Sequence, residues 1–182
     1  MTLLKLWQFL AFGILAANFA MFYLFKAAFR LTNLRCTSKN ESLGIFKICS
    51  LKAVKRDVVE INVDFELRRK PVKEADFLLR FKKRGELGRK ALYNYNIDFC
   101  EFLGSNRRKP LANLFYNIFE LQTCSNLNHT CPYNHNILIK GCRINSGLLQ
   151  ALPIPSGEYS IWTSWIIFGR PTAEVEVLLK FE

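Results

Sequence analysis

The sequence predicts a mainly β fold, a β-sandwich of about seven to eight strands with one helical insertion near residues 110–122. Three observations lead there. Apolar and polar residues alternate with a period of two over several short stretches. Gly and Pro punctuate the intervals between those stretches. One segment, after Pro110, switches to helical spacing.

Taken in order, the chain begins with an apolar run from Leu3 to Phe25, broken by Lys5, Gln8 and Asn18. A positive residue followed by a long apolar run is the pattern of a secretory signal, and Ala20 or Ala28 offers a cleavage point. Residues 1–25 are therefore read as a signal peptide. At roughly 20 residues the run is also long enough to serve as a retained anchor, and a buried helix is a third reading. The signal is preferred because the stretch is N-terminal and gives way at once to a folded pattern, residues 26–182.

Phe46–Leu51 reads as the first strand. Val59, Ile61, Val63, Phe65 and Leu67 then alternate with Glu60, Asn62, Asp64 and Glu66, as a half-buried strand requires. Pro71 ends it. Phe77, Leu79 and Phe81 alternate with Arg80 and Lys82 before a turn at Gly85 and Gly88. Ala91–Ile97 and Ile137–Ile144 read as two further strands. Tyr159–Phe168 and Glu174–Phe181 form the last two, separated by Gly169-Arg170-Pro171. The helix follows Pro110, a residue suited to a first turn. Leu111, Leu114, Phe115, Ile118, Phe119 and Leu121 fall near one face of it.

Composition bounds the function. The chain has 182 residues, 50% apolar and 23% charged, with 16 Phe and a net charge of +11. That suits one folded domain and excludes a disordered or collagen-like chain. A mean hydropathy of +0.05 excludes a multi-span membrane protein. All six cysteines (Cys36, Cys49, Cys100, Cys124, Cys131 and Cys142) follow the apolar run, an even number in an oxidising route, and six cysteines permit 15 pairings. Asn40-Glu41-Ser42 and Asn128-His129-Thr130 are glycosylation acceptor triplets at Asn40 and Asn128. Together these features point to a secreted, extracellular protein.

Cys124, His129, Cys131 and His135 carry zinc's preferred ligand types, but their spacing fits no standard ligand pair. In a secreted chain the thiols oxidise, so disulfides beside loop histidines are expected and no metal. Nor does the chain contain a GxSxG elbow, an HExxH, a P-loop or a GxGxxG. Asp98 and Glu101 flank Cys100 at the spacing of a helix cap, with no partner that marks an acid–base pair. The sequence thus reads as no enzyme and calls for no cofactor. Residues 51–90 hold 13 of the 26 Lys and Arg, and Arg107-Arg108-Lys109 adds a short run. A solvated strand face accounts for them, and a surface for anionic lipid or sulfated glycan is the sharper reading. The secretory route disfavours nucleic acid.

Four ordered strings carry a resemblance. They are Leu31–Cys36 with Phe46–Arg56, Leu92-Tyr93-Asn94 with Asp98–Leu103, Ser125–Tyr133, and Pro155–Tyr159. Together they resemble an insect family of small secreted proteins of unknown function related to the chemosensory CheB proteins. That family is similar in turn to the MD-2-related lipid-recognition superfamily. The resemblance implies an immunoglobulin-like sandwich whose sheets part to admit lipid. Its pattern supplies Cys36, Cys49, Cys100 and Cys131, which implies Cys36–Cys49 and Cys100–Cys131 bridges. Cys124 and Cys142, unusual for the family, are then most simply each other's partner. Leu87–Lys90 departs from the family's Asn-Gly-Tyr turn.

The expectation is a secreted binding protein for a lipid or hydrocarbon, as a chemosensory accessory protein. Its cavity would be lined by Ile61, Val63, Phe65, Leu79, Phe81, Ile161 and Trp165, the inward residues by alternation. The alternative is an extracellular module with a filled core, its basic face meeting a receptor or acidic glycan.

Overall fold

The computed structural model describes residues 29–55, 58–85, 91–104, 110–144 and 154–182. The expected signal segment, Gly88, the Leu87–Lys90 turn and Arg107-Arg108-Lys109 lie outside the described residues. The strands are β1 (Phe29–Ser38), β2 (Gly44–Lys55), β3 (Val58–Leu67), β4 (Ala75–Lys83), β5 (Tyr93–Asp98), β6 (Ile137–Cys142), β7 (Gly157–Ile167) and β8 (Arg170–Phe181). The helices are α1 (Phe99–Gly104), α2 (Pro110–Ile118) and α3 (Leu121–Cys124).

The strands form a β-sandwich of two antiparallel sheets, ordered β1-β8-β7-β4-β5 and β2-β3-β6. Alternation explains which faces meet. Ile61, Val63, Phe65 and Leu67 of β3 are buried, while the intervening residues are partly exposed. On one side the sheets are joined by the Cys36–Cys49 disulfide between β1 and β2. There the Phe46 N–H also donates to the Ser38 hydroxyl at 3.1 Å. On the other side the helices form the link. α1 packs on β4 and β5, α2 packs on α3, and α3 lies against β6, to which Cys124–Cys142 ties it.

Three elements differ from expectation, each for a local reason. β1 was not among the expected strands because its core residues do not alternate. Leu31 and Leu34 are both buried three positions apart, and a bulge between Leu31 and Asn33 accommodates the extra residue. The single helix expected over 110–122 is instead two. Glu120 takes the left-handed conformation at φ 50°, so α2 ends at Ile118 and the chain turns before α3 begins. α1 is an added helix, and the Asp98–Glu101 spacing is its cap: the Glu101 N–H donates to Asp98 Oδ1 at 2.8 Å.

The last hairpin also turns earlier than expected. Phe168 and Gly169 have φ of 53° and 67°, the positive pair of a type I′ turn, and Ile167 opposes Arg170 across it. Arg170 and Pro171 therefore belong to β8. Pro171 sits opposite Ile166, where the register shifts and a missing N–H is tolerated.

Candidate functional site

All seven residues expected to line a cavity are buried in one apolar cluster. Ile61, Val63 and Phe65 come from β3, Leu79 and Phe81 from β4, and Ile161 and Trp165 from β7. β4 and β7 hold their side chains in register, with Phe81 opposite Ile161 and Phe77 opposite Trp165. The Trp165 ring lies 5.4 Å from Phe65, 5.8 Å from Phe46 and 5.3 Å from Phe77, a contact that spans both sheets. Its indole N–H donates to Thr163 Oγ1 at 3.1 Å, so the one polar atom of the ring is satisfied. Nearer the helices, Phe81 stacks on Tyr159 at 5.2 Å and meets Phe115 of α2 at 6.3 Å.

Beside Trp165 lies a cavity of about 20 Å³ whose walls carry no polar surface. That is room for about one water molecule, against walls that offer it no hydrogen-bond partner. Leu67, Val72, Ala75, Phe77, Phe99, Leu127, Tyr133, Ile137, Trp165 and Ile167 line it, so both sheets, α1 and the loop before β6 all contribute. Of the seven expected residues, Trp165 is in this wall, and the other six pack elsewhere in the core. Phe77 was legible, because it shares the alternation of Leu79 and Phe81. Phe99 and Tyr133, on a short helix and a loop, show no periodicity that would have revealed them.

Tyr133 anchors this end. It is 2% exposed, and its hydroxyl donates to the His129 carbonyl. Burial pushes its phenol above the usual range, with Tyr116 adding to the effect. The folded state therefore keeps a proton that an unfolded tyrosine releases near pH 10, about its ordinary value. The stabilisation is complete below that pH and is lost as pH rises above it. Denaturant midpoints measured on either side of pH 10 should fall more steeply for the wild type than for Tyr133→Phe. Equal slopes would mean that Tyr133 titrates normally.

The six cysteines form Cys36–Cys49, Cys100–Cys131 and Cys124–Cys142, the pairs that the resemblance implies. Cys124 and Cys131 are thus bonded, and of the four weighed as zinc ligands only His129 and His135 meet, with Nε2 atoms 3.0 Å apart. Asn40 lies in the turn between β1 and β2, where its Oδ1 accepts from the Ser42 hydroxyl at 2.6 Å. Asn128 is exposed in the loop before β6. Part of the basic surface is neutralised locally: Lys47 pairs with Glu66 at 2.9 Å and Arg143 with Glu60 at 2.6 Å. The hydrogen bond from Lys47 holds the Glu66 carboxyl below its ordinary range. Among the described residues no helix is long and apolar enough to cross a membrane.

Residues 76–161 match the family DUF1091, described as a protein of unknown function. The DUF1091 match runs from β4 through all three helices and β6 into β7. It contains Phe77, Phe99, Tyr133 and the two disulfides nearest the helices, and it leaves β1, β2, β3 and β8 outside. A search of curated proteins finds no match to the chain.

Proposed function

We propose that the protein is a secreted binding protein for an apolar or amphipathic ligand, a lipid or hydrocarbon held between the sheets. The observation that carries this reading is the apolar cavity beside Trp165. Its walls come from both sheets, a helix and a loop, so parting the sheets there enlarges a space that offers a ligand only apolar contact. The helices on that side are short, and α2 and α3 are separated by a turn. They can move with less loss of hydrogen bonding than a strand pair. Three disulfides and the N-terminal apolar run accord with export to an oxidising compartment. The resemblance to CheB-related proteins and, more distantly, to the MD-2-related superfamily supports an accessory role in chemosensation.

The test is native mass spectrometry of the protein secreted from insect cells, with organic extraction of bound material. A discrete lipid or hydrocarbon released on denaturation is the expected result. An apo mass, with no uptake of fatty acids or sterols when these are offered, would overturn the reading. A second reading, an interaction module with a filled core, is favoured by the β5 side. β5 is a sheet edge, and Leu92, Tyr93 and Tyr95 are 54%, 45% and 40% exposed there. An apo protein whose binding to a receptor or glycan is lost on Tyr93→Ala would select that module.

A further inference from the structure

The described strands leave β1 and β5 at the edges of one sheet and β2 and β6 at the edges of the other. An open edge offers unpaired N–H and C=O groups to another chain. We propose that the β5 edge pairs antiparallel with the β5 edge of a second copy of this chain, giving a two-fold dimer whose five-stranded sheets join into one.

The other edges are blunted. β1 carries Arg30 and Arg35 and a bulge between Leu31 and Asn33. β2 carries Lys47, Lys52 and Lys55, and its register on β3 shifts twice. β6 carries Lys140, its register also shifts, and α3 lies against it. Cations, bulges and covering elements of this kind keep edges from pairing. β5 has none of them along Tyr93–Asn96. The strand Tyr93-Asn94-Tyr95-Asn96-Ile97-Asp98 contains no cation, Gly or Pro, and its register on β4 is unbroken. In a chain of net charge +11, two copies meet along this edge without setting cation against cation.

The backbone turns the right groups outward. The Arg84 N–H donates to the Glu158 carbonyl at 2.8 Å, so the even-numbered residues along β4 hydrogen-bond to β7. The odd-numbered ones face β5, where the Phe81 carbonyl accepts from the Leu92 N–H at 2.8 Å. Phe77, Leu79 and Phe81 stand opposite Ile97, Tyr95 and Tyr93. The N–H and C=O groups of Asn94 and Asn96 therefore point away from the sheet, and no described strand pairs with them.

The side chains suit self-pairing. A two-fold register that sets Asn94 opposite Asn96 of the second copy also sets Tyr95 opposite Tyr95 and Tyr93 opposite Ile97. Asn94 and Asn96 then exchange both backbone hydrogen bonds of each pair. The Asn amide and the Tyr hydroxyl each donate and accept, so like residues can partner one another. The two Asp98 carboxylates fall at opposite ends. Tyr93 and Tyr95 share the inner face with Phe81 and Leu79, yet they are 45% and 40% exposed. The three-stranded sheet leaves them uncovered, and a second copy would take both rings out of water. Six residues a side is small beside the roughly 20–30 of a standard interface. The dimer is therefore reversible and forms at micromolar concentrations and above. It does not rest on the ligand reading.

The test is sedimentation velocity on the secreted protein from micromolar to millimolar concentration, where a monomer–dimer equilibrium is expected. Tyr95→Lys sets like charges face to face and should raise the dissociation constant roughly tenfold or more. Asn94→Pro deletes an outward N–H without touching the ladder to β4 and should weaken association similarly. Near-ultraviolet circular dichroism should be unchanged in both. Tyr95→Cys places two cysteines at the two-fold with Cα atoms about 4.5 Å apart, within reach of a disulfide. Tyr93→Cys leaves them roughly 14 Å apart. Mild oxidation should cross-link the first and not the second. A monomer at every concentration, a dimer unchanged by Tyr95→Lys and Asn94→Pro, or equal cross-linking of the two cysteine variants overturns the proposal. A monomer that binds phosphatidylserine vesicles through Tyr93 and Tyr95 overturns it in favour of a membrane surface.

Discussion

Trp165→Ala is expected to destabilise the protein by roughly 3–5 kcal/mol, the range for truncating a buried aromatic to Ala. Trp165 is 5% exposed and contacts Phe46 and Phe65 from one sheet and Phe77 from the other. Its removal deletes the ring that joins the two layers and opens the adjoining cavity, now about 20 Å³. Urea unfolding with an unchanged m-value is the measurement. A loss below about 1 kcal/mol would mean that the ring is not packed as described, because a filled core site cannot lose an indole so cheaply. The same variant bears on ligand binding. If a ligand occupies this end, the enlarged space should shift the extracted material toward bulkier molecules, whereas a filled module would show only lost stability.

The second large effect is expected from the double variant Cys124→Ala, Cys142→Ala. The bridge closes a loop of sequence separation 18, and loop-closure entropy assigns it about 3 kcal/mol. The separations of 13 and 31 at the other two bridges give values within about 1 kcal/mol of that, because the dependence is logarithmic. Position distinguishes them. Cys142 has no exposed surface, and its bridge is the covalent tie between the helices and the three-stranded sheet. Hydrogen exchange in the double variant should therefore quicken over residues 110–124 before it does in the five-stranded sheet. Uniform acceleration would show that the helices open only with the whole domain.

The legible parts of this fold are those where one residue's environment repeats two positions on. β3 is buried on one face along its length, so Ile61, Val63, Phe65 and Leu67 announce it. β4 does the same through Phe77, Leu79 and Phe81. β1 was not legible, because a bulge puts Leu31 and Leu34 on one side and breaks the period. The break between α2 and α3 was hidden for a related reason. Phe119 and Leu121 continue the helical spacing, yet Glu120 leaves the helix, and this turn carries Cys124 to its partner on β6.

The candidate site divides in the same way. Burial of Ile61, Phe65, Phe81 and Trp165 follows from alternation, which ranks residues as inward or outward. Alternation carries no information about which inward residues touch one another, and the cavity wall drawn from Phe99, Leu127 and Tyr133 depends on that. The histidine pair is more extreme. Six positions apart in a loop, His129 and His135 share no period with any element, and they meet because both pack around the ring of Tyr133.

By itself the sequence determined the class of the fold, a β-sandwich built from alternating strands, and the cap at Asp98. Burial of every second residue and local hydrogen bonding act over a few neighbours, and such forces are written directly in the order of residues. The tertiary structure alone decided how tightly the interior fills, which ten residues line the cavity beside Trp165, and that the two histidines stand 3.0 Å apart. These depend on how whole sheets and loops pack in three dimensions, where residues distant in the chain compete for the same volume.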